Sequence, residues 1–329
     1  MRTAARAAAA LSAAAALGTM YMLAEAQAVR RVDRPLPAPD AHPDLDGLVI
    51  VQLSDFHAGF RPSLNLRAMR KAVDLALAAG PDLIVVTGDL APGPRPSAEF
   101  RRQLSRLSAP LGVFAVLGNH DHGDSKAPFV RPTDPADLED GGLRLLANET
   151  ATVTRGAGAV QVCGVDDTDG HHDDLPAVLA RLDRRPGVLR LLLTHHAAVV
   201  LSTSPGDFAL TLAGDTHGGQ ICLPLPGRRV MLSDPHARFA EGEYDAGGRL
   251  LYVTRGVGTS MLPFRAFCRP EVVVFTVATG RPRDRHDEEP APGVCSMDDL
   301  RHIERVEQLE ALANDDRRAT RLRPAPDGS

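Results

Sequence analysis

Leu48-Val49-Ile50-Val51-Gln52-Leu53 runs straight into Ser54-Asp55-Phe56-His57, so an apolar stretch ends abruptly in side chains that favour metals. The pattern recurs four times further on. Leu83-Ile84-Val85-Val86-Thr87 leads to Gly88-Asp89, and Val113-Phe114-Ala115-Val116-Leu117 leads to Gly118-Asn119-His120-Asp121. Val188 to Thr194 leads to His195-His196, and Phe208 to Ala213 leads to Gly214-Asp215-Thr216-His217-Gly218-Gly219-Gln220. Short continuous runs rich in β-branched residues read as strands buried on both faces. Between the first two lies Leu66 to Ala79, a helix-length segment closed by Gly80-Pro81. Strand, helix, strand at this spacing predicts a right-handed crossover on a sheet covered by helices. In such sheets function gathers beyond the carboxyl ends of the strands, where all five clusters fall.

Carboxylates, an amide oxygen and imidazoles together suit borderline divalent ions such as Mn²⁺, Fe²⁺ or Zn²⁺. Two such ions sharing a carboxylate can activate water, clamp phosphoryl oxygens and steady an in-line displacement without a serine or cysteine nucleophile. A histidine near the leaving group would supply the proton. Taken singly, each cluster has a plain structural reading: Asp55 or Asp89 as a helix cap, Asn119 in a turn, Gly218-Gly219 as a turn. Jointly and in order, they favour a metal site.

The ordered set resembles the calcineurin-like metallophosphoesterase superfamily, whose pattern is D-x-H, G-D, G-N-H-[DE], an isolated His, and G-H-x-H. The matching stretches here are Asp55-Phe56-His57, Gly88-Asp89, Gly118-Asn119-His120-Asp121, His195 and Gly214-Asp215-Thr216-His217. The Gly-Gly-Gln tail and the run from Arg255-Gly256-Val257-Gly258-Thr259-Ser260 through Pro263-Phe264-Arg265 to Cys268-Arg269-Pro270 resemble its bacterial, membrane-associated branch. The resemblance implies an α/β fold, a four-layer α-β-β-α sandwich with an N-terminal membrane segment. It implies two divalent metal ions, with Mn²⁺ favoured over Fe²⁺, Zn²⁺ or Mg²⁺. Asp55, His57 and His217 would hold the first, Asn119 and His195 the second, and Asp89 would bridge them. His120 would donate a proton or steady the oxyanion, and Asp121 would complete the catalytic pair by orienting its neighbours. His122, Arg255 and Arg265 are expected to contact substrate, arginine being well suited to phosphate.

One position departs from the pattern. Asp215 stands where the family has a His ligand to the second metal. With Asp55 and Asp89 it leaves the centre at about +1 rather than +2 by simple charge counting, which favours harder ions. The expected activity is hydrolysis of a phosphomonoester, phosphodiester or pyrophosphate bond through a metal-bridging hydroxide. The alternative is a catalytically silent metal-binding or structural module, disabled by Asp215. His196 is set aside as a ligand in favour of its neighbour. Asp166 to Asp174 reads as a solvated polar loop rather than a metal site of its own.

The rest of the 329 residues sets the context. Arg2 and Arg6 precede Ala7 to Ala24, a run with no charge, so residues 1–29 are expected to be a signal anchor or signal peptide, with the anchor favoured. The catalytic domain would then be extracytoplasmic, anchored to the inner membrane or secreted. Residues 30–47, rich in Pro, Asp and Arg, read as a linker, and 48–280 as the metallophosphoesterase domain. Residues 281–329 read as a charged tail, with apolar spacing from Met297 to Leu309 predicting a short helix. A formal net charge of −5 and the absence of Trp argue against a nucleic-acid partner. The expected partners are a phosphate-ester substrate, lipid-linked on one reading, and the membrane. Cys163, Cys222, Cys268 and Cys295 have no CxxC spacing; two disulfides or buried thiols both remain open.

Overall fold

The computed structural model describes residues 2–280 apart from 59–63, 92, 95, 125–129, 226–227 and 233–236. The tail 281–329 and its expected helix lie outside the described residues. Helix α1 (Arg2–Ala26) comes first, then strands β1 (Arg30–Pro37) and β2 (Val49–Leu53). Helix α2 (Leu64–Ala78), β3 (Leu83–Thr87), α3 (Ala98–Leu104), β4 (Val113–Val116), α4 (Asn119–His122), α5 (Pro135–Glu139) and β5 (Arg144–Leu145) complete the first half. The second half runs β6 (Glu149–Arg155), β7 (Gly158–Gly164), α6 (Leu175–Ala180), β8 (Leu189–Leu193) and β9 (Leu210–Ala213). It closes with β10 (Cys222–Leu225), β11 (Arg228–Met231), β12 (Gly242–Asp245), β13 (Leu250–Val253) and β14 (Glu271–Ala278).

These strands form two six-stranded sheets, ordered β1-β14-β2-β3-β4-β5 and β12-β13-β9-β8-β7-β6, with β10 and β11 as a separate hairpin. Strand alternation explains the layers. In β2, Val51 and Leu53 face α2 and α3, while Ile50 faces the second sheet across Leu191 and Leu193. On α2 the helical spacing of Leu66, Met69, Val73 and Ala76 lays one buried face on the first sheet. Cys163, Val165 and Leu192 point away from the central core towards Leu175 and Val178 of α6. Helix, sheet, sheet, helix is therefore the layer order, the four-layer sandwich that the motifs imply.

β2, β3 and β4 are parallel neighbours, as are β8 and β9, so Asp55, Asp89, Asn119, His195 and Asp215 leave strand ends on two facing sheets. Gln52 interrupts the apolar run of β2 for a reason: its Nε2 donates to Thr87 Oγ1 at 3.1 Å and to Ala213 O at 3.0 Å, tying the sheets together beneath that end.

Two expectations change here. Residues 30–47 are not a free linker. Arg30 to Pro37 pair in parallel with Glu271 to Ala278, and Leu36 is fully buried. The polar residues and prolines that suggest a linker are also what an edge strand tolerates, since one face and one row of amides meet solvent. Asp166 to Asp174 is not simply solvated either: Asp166 and Asp167 are buried. The N-terminal segment is one helix, and its Ala5–Ala26 stretch, with mean hydropathy 1.6, is long and apolar enough to cross a membrane.

Candidate metal centre

Five of the residues that face one another across the sheet ends hold left-handed backbone although none is glycine. They are Asp55 (φ 54°), His57 (φ 42°), Asp89 (φ 53°), Asp215 (φ 74°) and His217 (φ 51°). Such conformations cost free energy and persist only where the surroundings enforce them, as at functional sites. Here the strain turns each side chain sharply off its strand towards a common centre. Gly118 lets the chain pass close by: a Cβ there would collide with Asp89 Oδ1 and with the His195 ring.

Three imidazoles and three carboxylates meet in this space. His57 Nε2 lies 2.9 Å from His217 Nε2, and Asp55 Oδ1 lies 3.5 Å from the same His217 nitrogen. Asp89 Oδ2 is 3.4 Å from His57 Nε2 and also 3.4 Å from His195 Nε2, while its Oδ1 accepts from the His120 amide at 3.0 Å. Asp215 Oδ1 comes within 3.8 Å of His195 Nε2. Ligand atoms of Asp55, His57 and His217 fall within 4.8 Å of one another, and so do those of Asp55, Asp89 and His195.

The electrostatics are those of a site built around cations. Burial pushes the Asp55 carboxyl up to about 7, and burial pushes His57 down to about 4. Burial likewise holds His217 well below the usual imidazole range, helped by His57 and Arg265 nearby. Burial would raise Asp89, but His195 and His57 outweigh it and hold the carboxyl low. Asp55 Oδ2, Asn119 Oδ1 and His195 Nε2 are buried without a hydrogen-bond partner. Unsatisfied buried acceptors of this kind are costly, and two carboxylates, an amide oxygen and imidazoles converging on one space form a hard-to-borderline donor set. The residues present therefore fit divalent cations.

The surrounding side chains fall into two sets, those that face the centre and those that turn away from it. Asp121 is buried and accepts from the amides of Leu90 at 3.0 Å, Ala91 at 3.0 Å and Gly118 at 3.1 Å. These bonds tie together the turns carrying Asp89 and Asn119. His120 sits edge-on to His57, ring centroids 4.6 Å apart, with its Nε2 4.0 Å from Asp89 Oδ2. His122 turns aside, pairing with Asp166 at 2.8 Å and stacking on His172 at 4.0 Å.

Arg265 does not reach substrate. It is fully buried, donating to the carbonyls of Gly258, His217, Cys268 and Arg255, with Nη2 3.2 Å from His217 Nδ1. Sequence marks it as a phosphate contact because arginine suits phosphate; arginine is rarely buried, but here five polar partners receive its donors. Arg255 is held by Glu241, Nε to Oε2 at 2.5 Å.

His196, set aside as a mere neighbour of His195, is the residue that sequence reasoning misses. Its Nε2 meets Asp167 Oδ1 at 2.8 Å and its Nδ1 meets Asp215 Oδ2 at 3.3 Å. The usable signal was the departure itself, since an aspartate in place of a histidine calls for a nearby cation. Cys163, Cys222 and Cys268 are buried, and Cys295 lies outside the described residues.

Two sheets that present Asp, His and Asn donors at their facing carboxyl ends define a metallophosphoesterase architecture. The calcineurin-like phosphoesterase profile matches residues 48–217, and the chain belongs to that family. It is 32% identical over 237 residues to the metallophosphoesterase YkuE of Bacillus subtilis, covering 70% of this chain and 79% of that one. It is 32% identical over 233 residues to phosphodiesterase YaeI of Escherichia coli, covering 69% and 80%. To the UDP-2,3-diacylglucosamine pyrophosphatase LpxG of Chlamydia muridarum it is 28% identical over 300 residues, covering 74% and 87%.

Proposed function

We propose that the chain is a dinuclear metal-dependent phosphoesterase. Asp55, His57 and His217 would hold one ion and Asn119, His195 and Asp215 the other, with Asp89 within reach of both groups. The observation that supports this most is Asp89 Oδ2 standing 3.4 Å from nitrogens belonging to both groups. With Asp215 adding a third carboxylate, Mn²⁺ suits the centre best among Mn²⁺, Fe²⁺, Zn²⁺ and Mg²⁺.

Divalent cations, once bound, supply Lewis acidity towards the phosphoryl oxygens and activate water for in-line attack. The protein's own residues do the rest. Asp55, Asp89 and His195 form a floor with almost no solvent contact, so water reaches the reacting phosphate only from the open side. His120, whose side chain is more exposed than those of His57, His195 and His217, is the proton donor to the departing oxygen. Asp121 keeps the turns beneath it in register. Asp215 has not withdrawn from the site, since it lies beside His195, and this favours catalysis over a silent module.

The substrate is a phosphate ester or pyrophosphate, the bond classes in the names of the two relatives identified as a phosphodiesterase and a pyrophosphatase. Helix α1 anchors the domain in the membrane, and Arg2 and Arg6 keep its start on the cytoplasmic side, leaving the catalytic domain extracytoplasmic. The decisive experiment titrates Mn²⁺ into the metal-stripped full chain with p-nitrophenyl phosphate and bis-p-nitrophenyl phosphate. Turnover that rises with metal and disappears in Asp89→Ala is expected. Absence of turnover with any of the four ions, with recovery in Asp215→His, would replace this reading with the silent module.

A further inference from the structure

Large apolar side chains exposed on the described residues are confined to two places. Leu11, Leu17, Met20 and Tyr21 lie on α1. Leu64, Leu223, Leu232, Met261, Leu262 and Phe267 lie on the folded domain, on three segments tied to one another. Asn65, next to Leu64, donates to Thr259 O at 2.9 Å, which ties the start of α2 to the loop from Ser260 to Phe267. The β10–β11 hairpin carries Leu223, and Leu232 follows its second strand; a bridge from Ile221 to Ala266 ties it to the same loop. Scattered single apolar residues are ordinary on a protein surface, but a cluster with none elsewhere marks an interaction face.

That loop is also where α1 leaves the domain. The Arg265 amide donates to Met22 O at 3.2 Å, the Cys268 amide to Glu25 Oε1 at 2.5 Å, and the Tyr21 and Phe267 rings lie 5.6 Å apart. From Tyr21 back towards its start the helix is exposed. The loop that carries Met261, Leu262 and Phe267 therefore lies at the foot of a helix able to cross a bilayer. Tyr at such a boundary is the residue type that favours the headgroup level.

The rim is braced to the metal centre as well. Asn65 donates to His57 O at 3.1 Å, Gln220 Nε2 donates to Ser260 O and Leu262 O at 3.1 Å each, and Arg265 links the loop to His217. One short loop thus connects the foot of the helix, the exposed apolar side chains and two of the centre's imidazoles.

We infer that the rim of Leu64, Leu223, Leu232, Met261, Leu262 and Phe267 rests in the lipid bilayer around the foot of α1, and so presents the metal centre to phosphate esters of membrane lipids at headgroup level. The inference of a lipid ester as substrate rests on the phosphoesterase reading above; the seating of the rim does not. Apolar side chains at a bilayer boundary gain burial in proportion to area, and a helix beside them sets their depth.

The test uses the full chain, with Cys295→Ser, in phosphatidylcholine vesicles that contain a doxyl lipid quenching near the glycerol backbone. One variant carries a bimane on Met261→Cys and the other on Ala157→Cys. Met261 is 81% exposed, and Ala157 is exposed on the β6–β7 turn, at the opposite end of the strands from the metal centre. The other three cysteines are buried. Loss of emission at Met261→Cys but not at Ala157→Cys is expected. Equal emission at the two positions overturns the proposal. Mn²⁺-dependent hydrolysis of bis-p-nitrophenyl phosphate by both labelled chains is followed in parallel. Quenching without hydrolysis keeps the membrane seat and removes the lipid-ester substrate; hydrolysis without quenching leaves the phosphoesterase reading standing and overturns the membrane seat, and the lipid ester with it.

Discussion

Nε2 of His57 and Nε2 of His217 point at each other across 2.9 Å, with the two rings stacked 4.9 Å apart at 23°. Both imidazoles are held on the neutral side by burial, so neither brings a charge of its own, and at this separation one of the two nitrogens donates to the other. A divalent cation held by the two rings and Asp55 would take the place of that hydrogen bond, with both nitrogens then offering lone pairs.

Metal should therefore stabilise the fold in proportion to its occupancy. At Mn²⁺ concentrations a hundredfold above the dissociation constant, linkage gives about 2.7 kcal/mol. Calorimetry of the stripped chain with and without Mn²⁺ should show a higher Tm with metal. In His57→Ala the metal-dependent increment should vanish even where the metal-free Tm changes. A full increment in that variant would remove His57 from the ligand set.

Asp121 should matter through geometry. Replacing it by Ala leaves the amides of Leu90, Ala91 and Gly118 buried without their acceptor, a loss of about 3 kcal/mol at roughly 1 kcal/mol per hydrogen bond. Residues that orient metal ligands typically change metal affinity about 10–100-fold. Asp121→Ala should accordingly need more Mn²⁺ for half-maximal turnover, with kcat at saturating metal much less affected. Asp121→Asn, which keeps one acceptor oxygen, should fall between. A variant that loses kcat at saturating metal while its Mn²⁺ requirement is unchanged would instead make Asp121 a participant in chemistry.

Much of this was legible because buried strands and their polar ends are written contiguously. The runs ending at Leu53, Thr87, Val116, Leu193 and Ala213 are strands, and their clusters do converge. What was not legible depends on contacts between distant segments. Nothing local distinguishes Arg265, buried among carbonyls, from a surface arginine. Residues 30–37 become a strand only because Glu271 to Ala278 lie beside them, 241 positions away in the Arg30–Glu271 pair. His196 could not be ranked from its own neighbours, since Asp167 and Asp215 reach it from two other loops.

His196 gives a pH signature with a definite sign. In the metal-free fold its pKa is pushed up to about 9 from an ordinary 6.5: burial alone would lower it, but Asp167 and Asp215 outweigh that. A raised imidazole contributes its full stabilisation below 6.5 and loses it as pH rises through 9. The difference corresponds to about 3 kcal/mol. Between pH 7 and 9 the Tm of the chelator-treated protein should fall, and the fall should be smaller in His196→Gln, which cannot carry the charge. Parallel curves for the two proteins would show that His196 is not the titrating group.

The amino end of the folded domain should lie before Arg30, not at Leu48. β1 supplies eight registered pairs to β14 and places Leu36 in the core between the sheets. Deleting residues 2–29 leaves that strand intact. It removes the whole of α1 but no strand of the sandwich, and should give a domain that unfolds in one transition. Deleting residues 2–37 strips an edge strand from β14 and exposes its amides and carbonyls, a pairing surface for other chains. That truncation should aggregate or lose several degrees of Tm. Leu36→Ala in the full chain isolates the packing part and should cost about 2–5 kcal/mol. If the longer truncation melted at the same temperature as the shorter one, β1 would be a dispensable appendage, and the boundary read from sequence would be the correct one.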